Sequence, residues 1–195
     1  MRLTPRVLAV AALAAVAVAA CGSSKSTGSA SVSGSSPSVA PSSGPTEAVP
    51  VVTSHDVPAV TANATDLTKE PVLAAGKGTP GTGLATKDLV VGTGKTATLN
   101  DTVDVKYVGA VWKTGKVFDK SWGKGDQGYG PDILQFPLSG VVPGFAQGIA
   151  GMKEGGRRVI AIPPALGYGP QGGQPAAGIG ATDTIVFIVD LVKVA

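Results

Sequence analysis

The chain has one cysteine, Cys21, and one histidine, His55. A lone cysteine excludes an internal disulfide and any cysteine-built zinc site. A lone histidine excludes multi-histidine metal centres, and a Ser-His-Asp triad would have to use His55. That residue sits in Thr53-Ser54-His55-Asp56-Val57-Pro58, which lacks the rigid setting an oriented base needs. Aromatics are scarce as well: two Trp, three Tyr and four Phe in 195 residues. All fall between positions 107 and 187, so the first 106 residues have none. Aromatic side chains carry much of the energy of cores and pockets. Whatever this protein grips is therefore expected to be gripped in its C-terminal half. There is also no long apolar run. Residues 7–20 make a stretch of 14, short of the ~20 that a spanning helix needs.

The chain has 16 Lys and Arg against 13 Asp and Glu, a formal charge of +3. Two of the positives, Arg2 and Arg6, precede the apolar run. Without residues 1–20 the balance falls to +1, and no basic cluster stands out. A nucleic-acid partner is not expected.

The N-terminus reads as an address. Two arginines followed by VLAVAALAAVAVAA match the charged and apolar regions of a secretory signal. The run ends in Val18-Ala19-Ala20-Cys21-Gly22. Small residues directly before a cysteine resemble the bacterial lipobox, in which that cysteine becomes the lipidated first residue of the mature protein. Residues 1–20 are thus expected to be removed, with Cys21 anchoring the exported protein to the bacterial cell membrane. From Gly22 to Pro45, Ser, Gly and Pro fill 18 of 24 positions. Such a stretch cannot form a core. Residues 21–65 are read as a flexible tether with a reach of roughly 33–40 Å, and residues 66–195 as the folded domain.

Within that domain, residues 102–112 (TVDVKYVGAVW) alternate. Val103, Val105, Tyr107, Gly109 and Val111 share one face, and Thr102, Asp104 and Lys106 the other. Period two over this length predicts a half-buried antiparallel strand. Short strands are also expected at 88–91, 117–119, 133–138, 157–163 and 182–194. The one helix signal begins at Pro143-Gly144, with Phe145, Ile149 and Met152 recurring on one face to about Gly151. The fold class is α+β: a strongly bent antiparallel β-sheet wrapped around one short α-helix.

Three glycine motifs are decoys. Gly123-Lys124-Gly125-Asp126-Gln127-Gly128 and Gly76-Lys77-Gly78-Thr79-Pro80-Gly81 fit G-x-G-x-x-G, but neither links a strand to a helix, as the dinucleotide motif requires. Gly94-Lys95-Thr96 imitates the end of a phosphate loop without its leading glycine, since position 89 is Leu.

Several short motifs come in one order: Val105-Lys106-Tyr107-Val108-Gly109, Val117-Phe118-Asp119-Lys120-Ser121, Phe136-Pro137-Leu138, and Val141-Val142-Pro143-Gly144-Phe145. Gly151-Met152-Lys153-Glu154-Gly155, Ile162-Pro163-Pro164-Ala165-Leu166-Gly167-Tyr168-Gly169 and Ile185-Val186-Phe187-Ile188-Val189-Asp190-Leu191 follow. Together, over residues 88–194, they resemble the FKBP-type peptidyl-prolyl cis-trans isomerases. Asp66–Lys87 looks like the N-terminal extension of some bacterial members. The resemblance implies an isomerase of X–Pro bonds, here in exported proteins. It implies a catalytic set of Tyr107, Asp119 and Tyr168. It implies a substrate pocket of Phe118, Phe136, Val141, Val142, Phe145, Ile179 and Phe187, with Phe145 as the floor. The Val142 N–H and the Tyr168 hydroxyl would donate to the bound peptide. Many members carry Trp at the floor; Phe145 makes a slightly deeper box without an indole N–H, which bears on any macrolide ligand. No cofactor or metal is implied, and a monomer is expected. Loop 120–132 departs from the family pattern, and Trp122 within it is a candidate contact for substrate or partner.

The chemistry is consistent with what the chain lacks. Rotation about a peptide bond is opposed by ~18–20 kcal/mol of resonance, yet X–Pro bonds isomerise in tens to hundreds of seconds. The twisted amide is less charge-separated than the planar one, so an apolar pocket favours it relative to water. No nucleophile, metal or titrating base is needed. The phenylalanines are also what any small α+β core would bury. A tethered peptide-binding or chaperone module with little turnover is therefore the alternative reading.

Overall fold

The computed structural model describes residues 57–195. The signal, Cys21, His55 and most of the tether lie outside the described residues. The first two strands, β1 (Val60–Ala62) and β2 (Val72–Leu73), form a small antiparallel pair. The main sheet is built from β3 (Ala85–Val90), β4 (Thr102–Val111), β5 (Val117–Lys120) and β6 (Leu134–Pro137). The one α-helix among the described residues, α1 (Pro143–Ile149), precedes β7 (Gly156–Ile162). A minor pair, β8 (Gly173–Gln174) and β9 (Ile179–Gly180), leads to the long last strand β10 (Ile185–Val194). The strand order is β3-β7-β10-β4-β5, with β6 also on β4, and every pairing is antiparallel. This is the bent sheet around one short helix expected from the sequence.

The helix begins where Pro143 needs no N–H partner. It packs on β7 through its glycines. A Cβ on Gly144 would sit 2.3 Å from Ile162 Cγ2, and one on Gly148 2.4 Å from Ile160 Cγ2. Residues four apart share one helix face, so two small residues let the helix backbone settle onto the strand. Phe145, Ala146 and Ile149 then enter the main core with Val103, Val105, Leu138, Ile160, Ile162, Val189 and Leu191.

Three expectations need correction. First, β4 is not half-buried. Its second face carries Val108 at 1% and Ala110 at 0% exposure. A second core of Ala85, Trp112, Val159, Ala161, Val186 and Ile188 lies there, with Val57, Val60, Leu73 and Leu89 packed against it. Second, regular structure is present before residue 66. Residues 57–65, assigned above to the tether, include β1 and supply two of those covering valines. Third, β3 starts at Ala85, inside the stretch read as an extension.

The N-terminal segment is held by a buried charge. Arg157, fully buried, grips Asp190 of the neighbouring strand in two contacts, Nε to Oδ1 at 2.5 Å and Nη2 to Oδ2 at 2.6 Å. Its remaining donors reach the carbonyls of Asn63 and Lys69. Burial pushes the Asp190 carboxyl pKa up, and the guanidinium opposes that shift. Among the described residues no helix is long and apolar enough to cross a membrane.

Candidate functional site

The alternation of β4 and β10 places Tyr107 and Phe187 on the helix side of the sheet. Their register pairs Val189 with Tyr107 and Phe187 with Gly109. Phe118 arrives on β5, Phe136 on β6 and Phe145 at the start of α1. The five rings make one network. Phe145 lies 4.9 Å from Phe187, 6.3 Å from Tyr107 and 6.4 Å from Phe136, between ring centroids. Tyr107 is 6.0 Å from both Phe136 and Phe187, and Phe118 is 5.6 Å from Phe187. All pairs are tilted or edge-on, the arrangement the ring quadrupole favours.

Burial divides this network into a base and a rim. Tyr107, Phe145, Ile179 and Phe187 are buried, whereas Phe118, Phe136, Val141, Val142 and Tyr168 are half-buried and pack against them. Rim residues that keep one side open can receive a small apolar ring. Val142 lies at the start of α1, where its carbonyl accepts the N–H groups of Phe145 and Ala146. Among the described residues its own N–H makes no backbone hydrogen bond. Tyr168 follows a short 3-10 turn at Pro164–Leu166. Its carbonyl takes the N–H of Gly173 at 2.8 Å, which fixes the loop that presents the ring.

The polar edge is centred on Asp119. Tyr107 donates its hydroxyl to Asp119 Oδ2 at 2.5 Å. The other oxygen, Oδ1, accepts the backbone N–H of Lys120 and the ammonium of Lys124, each at 2.9 Å. Asp119 is thus oriented from both sides while its side chain stays 46% exposed.

Residues 93–192 match the family described as FKBP-type peptidyl-prolyl cis-trans isomerase. The chain belongs to this family. It is 44% identical over 111 residues to a probable FK506-binding protein of Corynebacterium glutamicum, covering 56% of this chain and 86% of that one. It is 43% identical over 122 residues to an FK506-binding protein of Streptomyces anulatus, covering 60% of this chain and 90% of the other. The crystal structure of FkpA from Escherichia coli superimposes with a TM-score of 0.50 at 38% identity. That match covers 58% of this chain and 48% of FkpA. This chain is a peptidyl-prolyl cis-trans isomerase.

Every described residue that the resemblance put into the site lies in this one ring cluster or at its edge. Cys21 lies outside the described residues. Both phenols stay protonated and so remain donors. Burial pushes the Tyr107 and Tyr168 hydroxyls up, for Tyr107 with help from the accepted contact with Asp119, and for Tyr168 from the charge of Asp119.

The sequence reading missed three contributors. Lys124, in the divergent loop, holds Asp119 and stands 5.8 Å from the Tyr107 ring centroid. Nothing in its spacing marks it. Ser121, fully buried, accepts the Tyr107 N–H at 2.9 Å and locks β4 to the end of β5. Gly109 leaves room for the rings, since a Cβ there would lie 2.7 Å from Phe187 Cε1 and 2.9 Å from Phe118 Cζ. Trp122, the candidate contact in the divergent loop, lies away from the ring cluster. It is 7% exposed and lies 4.7 Å beneath the ammonium of Lys106, on the face of β4 opposite Tyr107.

Proposed function

We propose that this isomerase is exported, is held at a bacterial membrane by a lipid on Cys21, and turns X–Pro bonds in proline-containing segments of exported proteins. The arginine pair, the apolar run of residues 7–20 and the small residues before Cys21 support the address. In this reading the proline ring enters the box over Phe145, Phe187 and Ile179, flanked by Phe118, Phe136 and Val141. The Val142 N–H and the Tyr168 hydroxyl take carbonyls of the bound segment. Tyr107 and Asp119 set the polar edge where the amide twists. The enzyme acts as a monomer, and an FK506-type macrolide competes for the same box.

The 2.5 Å bond from Tyr107 to Asp119 beside an open ring cluster carries this reading. A carboxylate at an apolar rim costs desolvation unless it accepts hydrogen bonds. Asp119 accepts three such bonds, from Tyr107, Lys120 and Lys124, and its half-exposed side chain faces whatever ligand lies at that edge. The test is a cis/trans assay on proline peptides. Tyr168→Phe and Asp119→Ala should each lower kcat/KM roughly tenfold, the equivalent of ~1.4 kcal/mol of transition-state binding. Unchanged turnover in both folded variants would refute the site. Peptide binding without acceleration in the wild type would favour the chaperone alternative. The address has its own measurement: Cys21→Ser should move the protein from the membrane to the soluble fraction, and full retention would contradict lipidation.

A further inference from the structure

We propose that the N-terminal segment, residues 57–75, is a brace for the catalytic edge, with Glu70 as a positioning residue acting through Lys120 on Asp119. This rests on the reading of Asp119 as a site residue. The segment lies on the sheet face opposite the rings, and residues 93–192 alone carry the family match.

The connection is continuous. Arg157, at 0% exposure, fixes the carbonyls of Asn63 and Lys69 from inside the sheet. Asn63, held at a φ of 55°, donates its side-chain amide to the Glu70 carbonyl at 2.8 Å. The backbone on both sides of Glu70 is therefore anchored to a buried ion pair. From there the Glu70 carboxylate receives the Lys120 ammonium on both oxygens, at 2.8 and 2.9 Å. Lys120 is the last residue of β5, and its own N–H donates to Asp119 Oδ1. The carboxylate of Asp119 then meets Tyr107.

Geometry explains why the link matters more for catalysis than for folding. β5 has four residues and pairs only with β4, with a register shift between Gly109 and Ala110. Among the described residues its far side has no neighbouring strand. Beyond Lys120 the chain enters a glycine-rich loop with positive φ at Gly123, Gly125, Gly128 and Gly130. A short edge strand leading into such a loop is the part of the sheet least held by its own ladder. An exposed ion pair adds little to global stability. Tying Lys120 to an anchored point nevertheless fixes the one peptide unit that orients Asp119. Small displacements of a positioned group cost far more in rate than in stability.

The experiment compares Glu70→Gln, Lys120→Met, the double variant and the conservative Lys120→Arg in the proline-peptide assay. Lys69→Met serves as a control. Lys69 pairs with Asp66 at 3.0 Å in the same segment rather than with Lys120 or Asp119. Glu70→Gln and Lys120→Met should each lower kcat roughly threefold to tenfold with KM little changed, because the rings are untouched. The double variant should be no worse than either single one. Lys120→Arg and Lys69→Met should keep wild-type kcat. Wild-type kcat in Glu70→Gln, losses that multiply in the double variant, or an equal loss in Lys69→Met would each overturn the brace. If Asp119→Ala also leaves turnover intact, the assignment of Asp119 fails instead, so the two failures are distinguishable.

Discussion

Replacing Arg157 by Ala should lower the unfolding free energy by about 3–5 kcal/mol. The size follows from what would be left behind. Asp190 sits opposite Arg157 in the β7–β10 register and is 5% exposed. Without the guanidinium it is a buried carboxylate with no hydrogen-bonded partner, left only with the charge of Lys106 across the β10–β4 pair. The carbonyls of Asn63 and Lys69 lose their donor at the same time. Urea denaturation should show a lower midpoint with an unchanged slope. The deficit should also depend on pH. Burial already pushes the Asp190 carboxyl up, and the guanidinium opposes it most, with a smaller part from Lys106. In the variant the folded pKa therefore rises well above the unfolded one. A group with a raised folded pKa contributes stability at low pH that is lost as pH rises through that value. Arg157→Ala should thus be less destabilised at about pH 5 than at about pH 8. A double variant, Arg157→Met with Asp190→Leu, should recover part of the loss, since neither charge remains. It should not recover all of it, because two carbonyls at the edge of the N-terminal segment stay unpaired. A loss under about 1 kcal/mol in Arg157→Ala would mean that water reaches Asp190 and that the segment is not clamped as described.

Much of the fold is legible in the chain because the long strands advertise themselves. The alternation of residues 102–111 and the β-branched run of 185–194 identify the two central strands, and Pro143-Gly144 before Phe145 marks the helix start. Tyr107 is legible for the same reason, since it shares one phase of that alternation with Val103 and Val105. The N-terminal segment is not legible. β1 has three residues and β2 two, too few for a periodic signal. They are ordered by Arg157, some ninety positions downstream. That tertiary contact also bears on the misjudged second face of the sheet, where Val57 and Val60, which composition assigned to a tether, pack against the core of Trp112, Val186 and Ile188. Asp119 is legible only through the family resemblance, and folding brings the Tyr107 hydroxyl to it. Lys124 is not, because a lysine in a glycine-rich loop reads as solvated surface, and only folding brings it to Asp119.

Gly109→Val should abolish most of the turnover while leaving a folded protein. The position is a test of the box itself rather than of any polar group. Gly109 lies mid-strand in β4, opposite Phe187 on one side and Asp119 on the other. Valine suits a strand backbone, so secondary structure is not the issue. The issue is space. Even a Cβ would meet Phe187 Cε1 at 2.7 Å and Phe118 Cζ at 2.9 Å. Both rings must swing outward, and both face the volume where the proline is to sit. Overpacking of this kind costs about 1–3 kcal/mol of stability. Displacing two walls of the site should cost about tenfold to a hundredfold in kcat/KM. Gly92→Ala provides the contrast. A Cβ there would meet the carbonyl oxygens of Lys153 and Glu154 at 2.3 Å, on a loop that carries none of the rings. It should be destabilised to a comparable degree yet isomerise proline peptides at the wild-type rate. If Gly109→Val keeps wild-type turnover, the rings are only a core, and the proline binds elsewhere. If Gly92→Ala loses activity in proportion to its stability, turnover reports the folded fraction rather than the box. Loss at position 109 with retention at 92 leaves the ring cluster as the place where the X–Pro bond turns.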